Sequence, residues 1–152
     1  MKHFFYLAMP VLLFMTCDQK QDNESNAALK EQILTNEGFG FVKNKAIEIV
    51  KTGFNAGDGY GEVWIRDYNT FIELSVEVFA DEEIQENLLV FFRMQGDDGN
   101  IIDGFIPKTK ITGHGYDYIY SDLEPRYAGH KNTVETDQEA SLVQAVYKYV
   151  KK

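Results

Sequence analysis

The chain has 152 residues, 44% of them hydrophobic and 26% charged, a composition typical of a globular protein with room for one ordinary domain. Its 24 acidic against 15 basic side chains give a net charge of -9. That balance argues against a nucleic-acid partner, whose phosphates demand a basic face, and is compatible with neutral sugars or with solubility alone.

Lys2 and His3 make a weakly basic start, and Phe4 to Met15 is apolar except for Pro10. A run this short falls below the roughly 20 residues that span a bilayer, so residues 1–16 read as a signal peptide. Cys17, the sole cysteine, follows at once. It has no internal disulfide partner, and Leu13-Phe14-Met15-Thr16-Cys17 resembles a lipobox, which makes Cys17 the expected lipidation site; the plainer alternative is an incidental cysteine after an ordinary signal. Residues 17–37 then read as a flexible tether, since Asp18 to Asn26 is polar, lacks aromatics and buries too little to offset its ordering entropy. The expected location is the bacterial cell envelope, lipid-anchored or periplasmic.

Four helices are predicted from apolar spacing in 38–152. The first runs from about Phe41 to Phe54, with Val42, Ala46, Ile49, Val50 and Phe54 on one face, and the glycines Gly57, Gly59 and Gly61 mark the loop after it. The second begins near Asp67 and reaches Phe79, carrying Tyr68, Phe71, Ile72 and Val76, with Leu74 and Val78 widening its apolar surface. The third starts at Asp81 as N-cap and carries Ile84, Leu88, Phe91 and Phe92 before Gly96. The fourth follows a capping-box signature, Thr136-Asp137-Gln138-Glu139, and carries Leu142, Val143, Val146, Tyr147 and Val150.

Between Gly96 and Glu135 about forty residues show no helical period, only short hairpin candidates at Asn100 to Ile106 and Ile111 to Tyr120. So long a connection is usually functional. Its glycines and Tyr116, Tyr118, Tyr120 and Tyr127 suit a sugar-facing loop, or equally a loop pinned to the core by its tyrosines.

Three motifs stand in order along these elements: Gly59-Tyr60-Gly61-Glu62-Val63-Trp64-Ile65-Arg66-Asp67; Phe92 to Ile101 with Gly104 and Pro107; and His130 to Ala140. Together they resemble the six-hairpin glycosidases, the (α/α)6-toroid glycoside hydrolases that include glucoamylases and α-glucosidases. The likeness covers roughly Gly38 to Val150. It implies an all-α fold, here a partial (α/α)6 toroid of about two helical hairpins with a long loop. Gly38 to Lys152 supplies 115 residues (152 - 38 + 1), enough for about four of twelve helices. The expectation is thus the N-terminal part of a secreted glycoside hydrolase acting on α-linked glucosides or oligosaccharides, inactive alone, with a second chain completing the ring over exposed apolar flanks.

In that frame Trp64, Arg66, Asp67, Glu135 and Asp137 are the expected substrate-binding residues. Helix N-termini favour ionised carboxylates, charged groups grip sugar hydroxyls, and Trp64 offers a flat face. The plainer alternative makes Asp67 and Glu135 helix caps and Trp64 a core residue. No catalytic acid or base is assigned, because in the resembled enzymes these lie on later loops; a carbohydrate-binding lipoprotein without turnover is the alternative function. No cofactor or metal is expected. Asp97, Asp98, Asn100 and Asp103 lack EF-hand spacing, His114 and His130 lack a zinc partner, and Gly57 to Gly61 lacks a phosphate-loop lysine.

Overall fold

The computed structural model describes residues 19–55, 57, 59–111, 117–132 and 134–152, with side chains from residue 26 onward. The expected signal peptide, Cys17, His114 and Tyr116 lie outside the described residues. The described residues divide into two compact units, 19–41 and 42–152.

In the first unit, helix α1 (Gln19–Thr35) occupies most of the segment expected as a tether. Every side chain from residue 26 to residue 41 is exposed. Helix α2 (Glu37–Val50) begins in this unit, four residues earlier than its apolar spacing suggested, and continues into the second, where it ends at Val50, its one buried residue. Asn36 turns the chain between the two helices: its side-chain oxygen accepts the Gly38 N–H at 2.8 Å.

The second unit overturns the all-α expectation. Alongside its helices it holds a four-stranded antiparallel sheet built from β1 (Val63–Trp64), β2 (Gly104–Pro107), β3 (Tyr118–Ile119) and β4 (Tyr127–His130), in the order β1-β2-β4-β3. It is therefore not part of an (α/α)6 toroid. Three of the strands come from the forty residues that lacked a helical period. Their backbone N–H and C=O groups need partners once buried, and pairing with one another supplies them. The register sets Trp64 opposite Gly104, Phe105 opposite Gly129, and Gly104 opposite His130.

Helices α3 (Ile65–Val76), α4 (Asp81–Arg93) and α5 (Gln138–Val150) pack around this sheet. Along α3, Ile65, Tyr68, Ile72 and Ser75 are buried at steps of three and four, the period of one helix face. That face joins Ile84, Leu88 and Phe91 of α4, Leu142 and Ala145 of α5, and Ile101, Ile102 and Phe105 from the β2 region in one core. Helix α4 enters from Ala80 rather than from Asp81: the Glu83 carboxylate reaches back to accept the Ala80 N–H at 3.2 Å. Helices α3 and α5 are tied by polar bonds as well, with Asn69 Nδ2 donating to Gln144 Oε1 at 3.0 Å and Lys148 Nζ to the Asn69 carbonyl at 2.6 Å.

Apolar residues remain on the outer faces. Val143, Tyr147 and Val150 of α5 and Leu89 and Phe92 of α4 are exposed, so the broad apolar surfaces read from the sequence are buried only in part.

Tyr68 is completely buried, its hydroxyl has no hydrogen-bond partner among the described residues, and burial pushes its phenol well above the usual range. An unpaired buried hydroxyl detracts from stability. Tyr68→Phe keeps the ring contacts with Phe54 and Phe71 and is expected to melt at the same temperature or higher, by up to about 1 kcal/mol of added stability. A melt showing a loss instead would mean the hydroxyl is bonded in solution.

Candidate functional site

The sheet and two helix starts converge on one cleft of about 330 Å³. Strand β1 runs into α3 without a loop, so Trp64 ends the strand while Arg66 and Asp67 occupy the first helical turn. Strand β2 lies beside it, with Asp103 immediately ahead. Strand β4 ends at His130, and the chain then passes Asn132 and Glu135 before α5 opens at Gln138. All of these residues except β2's own line the cleft, together with Tyr60.

Trp64 is held edge-on to His130, ring centroids 5.7 Å apart at 81°. It lies this low because its strand neighbour is Gly104. A Cβ there would stand 2.9 Å from the Val63 carbonyl oxygen and about 3.0 Å from the indole. Glycine at this position is a matter of close approach, not of an unusual φ.

Arg66 joins the two halves of the rim. Its guanidinium donates to Glu135 Oε1 at 2.9 Å and sits 3.7 Å from Asp137 Oδ2. Because the Arg66 side chain is 49% exposed, this bridge contributes little to stability; it fixes orientation. Behind it, the buried Gln138 amide donates to Glu135 Oε2 at 3.4 Å and accepts from Lys131 Nζ at 3.3 Å. The carbonyl of Asp67 accepts from Thr70 Oγ1 at 2.6 Å, while its exposed carboxylate has no hydrogen bond or ion pair among the described residues and lines the cleft.

The capping box expected at the fourth helix does not form. Asp137 is the N-cap residue and makes no side-chain cap bond, and Glu139 turns away to accept the Ile101 N–H at 2.9 Å and Lys131 Nζ at 3.2 Å. Those bonds hold its carboxyl below the usual range, the Ile101 amide first among the causes, and they anchor the β2 approach to α5.

Asp103, which the sequence suggested only as a calcium ligand of the wrong spacing, is the node of the site. Its N–H donates to the His130 carbonyl at 2.7 Å, its own carbonyl accepts the Ile65 N–H at 2.8 Å, and Oδ2 accepts the Asn132 N–H at 2.6 Å. It is only 4% exposed, and burial pushes its carboxyl above the usual range.

Of the five expected site residues, Trp64, Arg66, Asp67 and Glu135 line the cleft, and Asp137 joins through Arg66. Tyr60, Asp103, His130, Asn132 and Gln138 complete it. Among the described residues no cluster of histidine, cysteine or carboxylate side chains is arranged to hold a metal ion, and no helix is long and apolar enough to cross a membrane. The sequence matches no protein-family model, and no curated protein or solved structure shows significant similarity to it.

Proposed function

We propose that this cleft binds a neutral oligosaccharide, with α-linked glucosides the leading class. The observation that carries the reading is Arg66 bridging Glu135 and Asp137 across a cleft that Trp64 also lines. The guanidinium's charge is already matched by the carboxylates of Glu135 and Asp137, while Asp67 and Asp103 add negative charge around the hollow. An anionic ligand such as a phosphate or a uronic acid is therefore repelled. A sugar suits the lining better: its hydroxyls bond to carboxylates and to the Asn132 and Gln138 amides, and its C–H face rests on an aromatic ring. The choice of glucosides comes from the motif likeness to six-hairpin glycosidases, although the ring of that family is not what this chain builds.

Binding is the activity proposed here, and hydrolysis is the competing outcome. Cleavage requires an acid and a second carboxyl flanking the scissile bond. Glu135 is held by Arg66 and Gln138 as a rim group, which suits gripping a hydroxyl more than attacking a glycosidic carbon.

Trp64 is the only tryptophan in the chain, so its emission reports on the cleft directly. Titration with maltotriose, isomaltotriose and cellotriose is expected to shift that emission. Trp64→Ala, followed by calorimetry, is expected to weaken binding by roughly 2- to 12-fold, the value of one lost aromatic contact. Absence of saccharide binding at concentrations about tenfold above a millimolar Kd would sink the reading, as would preferential binding of an organic amine. Release of glucose from maltotriose would replace binding by catalysis.

A further inference from the structure

We propose that Asp103 is a ligand-binding residue of the cleft, its Oδ1 accepting a hydrogen bond from one particular ligand hydroxyl. The inference rests on the sugar-binding reading and deepens it, because it makes the site selective for the sugar that carries that hydroxyl.

The fold itself uses everything else Asp103 offers. Its backbone N–H and C=O are bonded to His130 and Ile65, and Oδ2 takes the Asn132 N–H. Oδ1 remains. It is buried, has no hydrogen-bond partner among the described residues, and belongs to a side chain that lines the cleft. The nearest cation, Lys131 Nζ, stands 3.9 Å away, beyond hydrogen-bond reach. Lys131 is drawn off instead by Glu139 Oε1 at 3.2 Å and Gln138 Oε1 at 3.3 Å.

A purely structural role does not call for a carboxylate here. An asparagine would accept the Asn132 N–H equally well and would avoid burying a charge. The sequence nevertheless places an acid between Ile102 and Gly104, inside an otherwise apolar run. A buried carboxylate oxygen beside a polar hollow gains a strong, charge-assisted bond when a hydroxyl donor enters. A site built around such an acceptor rejects the analogue lacking the hydroxyl much more sharply than an apolar pocket rejects a missing methylene.

The test is a double-mutant cycle between protein and ligand: wild type and Asp103→Asn, each titrated with methyl α-maltoside and its monodeoxy derivatives. In wild type, deoxygenation at one position is expected to weaken binding about 10- to 100-fold. Asp103→Asn is expected to weaken the parent sugar by a similar factor and to erase the penalty at that position alone. If wild type binds the parent sugar but the penalties are the same in both proteins, the proposal is overturned while the sugar reading stands. If wild type binds no saccharide, both fall.

Should Asp103→Asn fail to fold, the carboxyl carbon resonance of Asp103 in wild-type protein decides. With methyl α-maltoside saturating, its apparent pKa must drop, because a donor bound to the ionised form favours that form. Lys131, His130 and Glu135 are the charged and titratable groups that also act on it, and they are present with and without ligand. An unchanged titration overturns the proposal.

Discussion

Glu124→Ala is expected to destabilise the protein by about 2–3 kcal/mol, a fall of roughly 10 °C in Tm for a chain of this size. Glu124 sits in the turn before β4 and is 1% exposed, yet it is held between two arginines. Oε2 accepts Arg93 Nη1 at 2.9 Å and Oε1 accepts Arg126 Nε at 2.9 Å. Both arginines also grip Glu86 on α4, Arg93 through two bonds at 2.8 and 3.2 Å. The network fastens the loop feeding β4 to the end of α4, where Ser121 Oγ donates to the Arg93 carbonyl at 2.7 Å. Removing Glu124 leaves two cations facing each other without their buried partner. The effect falls below the 3–5 kcal/mol of a fully buried broken pair, since Arg93 and Arg126 are 32% and 57% exposed. Chemical denaturation of the variant reads it directly; a change under about 0.5 kcal/mol would show that the four charges are only a solvated surface cluster.

The same network has a pH signature. Hydrogen bonds from Arg93 and then Arg126 hold the Glu86 carboxyl down at about 2, and the Arg126 bond likewise lowers Glu124. In the unfolded chain both return to the ordinary value near 4.3. Carboxyls lowered on folding contribute stability that is complete above the unfolded value and disappears as pH falls through the folded one. The gap in Tm between wild type and Glu124→Ala is therefore expected to be constant from pH 7 to about 5 and to narrow as the pH falls toward 2.

What the sequence made legible follows from interaction range. The three helices of the second unit's core were readable, because thirteen-residue stretches such as α4 repeat their apolar positions often enough to show a period. The sheet was not. Val63–Trp64 and Tyr118–Ile119 are two residues each, too short to alternate, and Tyr127-Ala128-Gly129-His130 has no apolar pattern. These strands exist because of distant pairings, 63 with 105 and 104 with 130, that no local window contains. The all-α expectation, carried over from the motif likeness, met nothing in the local pattern strong enough to correct it.

The site divides along the same line. Trp64, Arg66, Asp67 and Glu135 flank helix starts and could be read from local motifs. Asp103 reads locally as one more acid in the turn-rich run Asp97 to Asp103. Its setting between Ile102 and Gly104-Phe105-Ile106, an acid within an apolar run, was the signal that marked it as buried and therefore partnered. His130, Asn132 and Gln138 gain their places only through β4's pairing and α5's docking.

Phe105→Ala is expected to have the largest effect of any single substitution considered, about 3–5 kcal/mol. Phe105 is 2% exposed at the centre of the sheet, where β2 is flanked by β1 and β4. Its ring meets Phe91 of α4 edge-on at 5.1 Å and Tyr127 of β4 at 4.9 Å, so it joins helix layer to sheet. Loss of the ring opens a cavity between elements whose backbones are held apart by ladder pairs and cannot close over it. Against the 5–15 kcal/mol that hold a typical domain together, that loss leaves little or no reserve. Because β2 also carries Gly104, and Asp103 directly precedes it, Phe105→Ala is expected to abolish saccharide binding by unfolding the site. Trp64→Ala, by contrast, must weaken binding with the melt nearly intact. Finding Phe105→Ala cooperatively folded with wild-type Tm would mean that the sheet is not the frame on which the cleft is built.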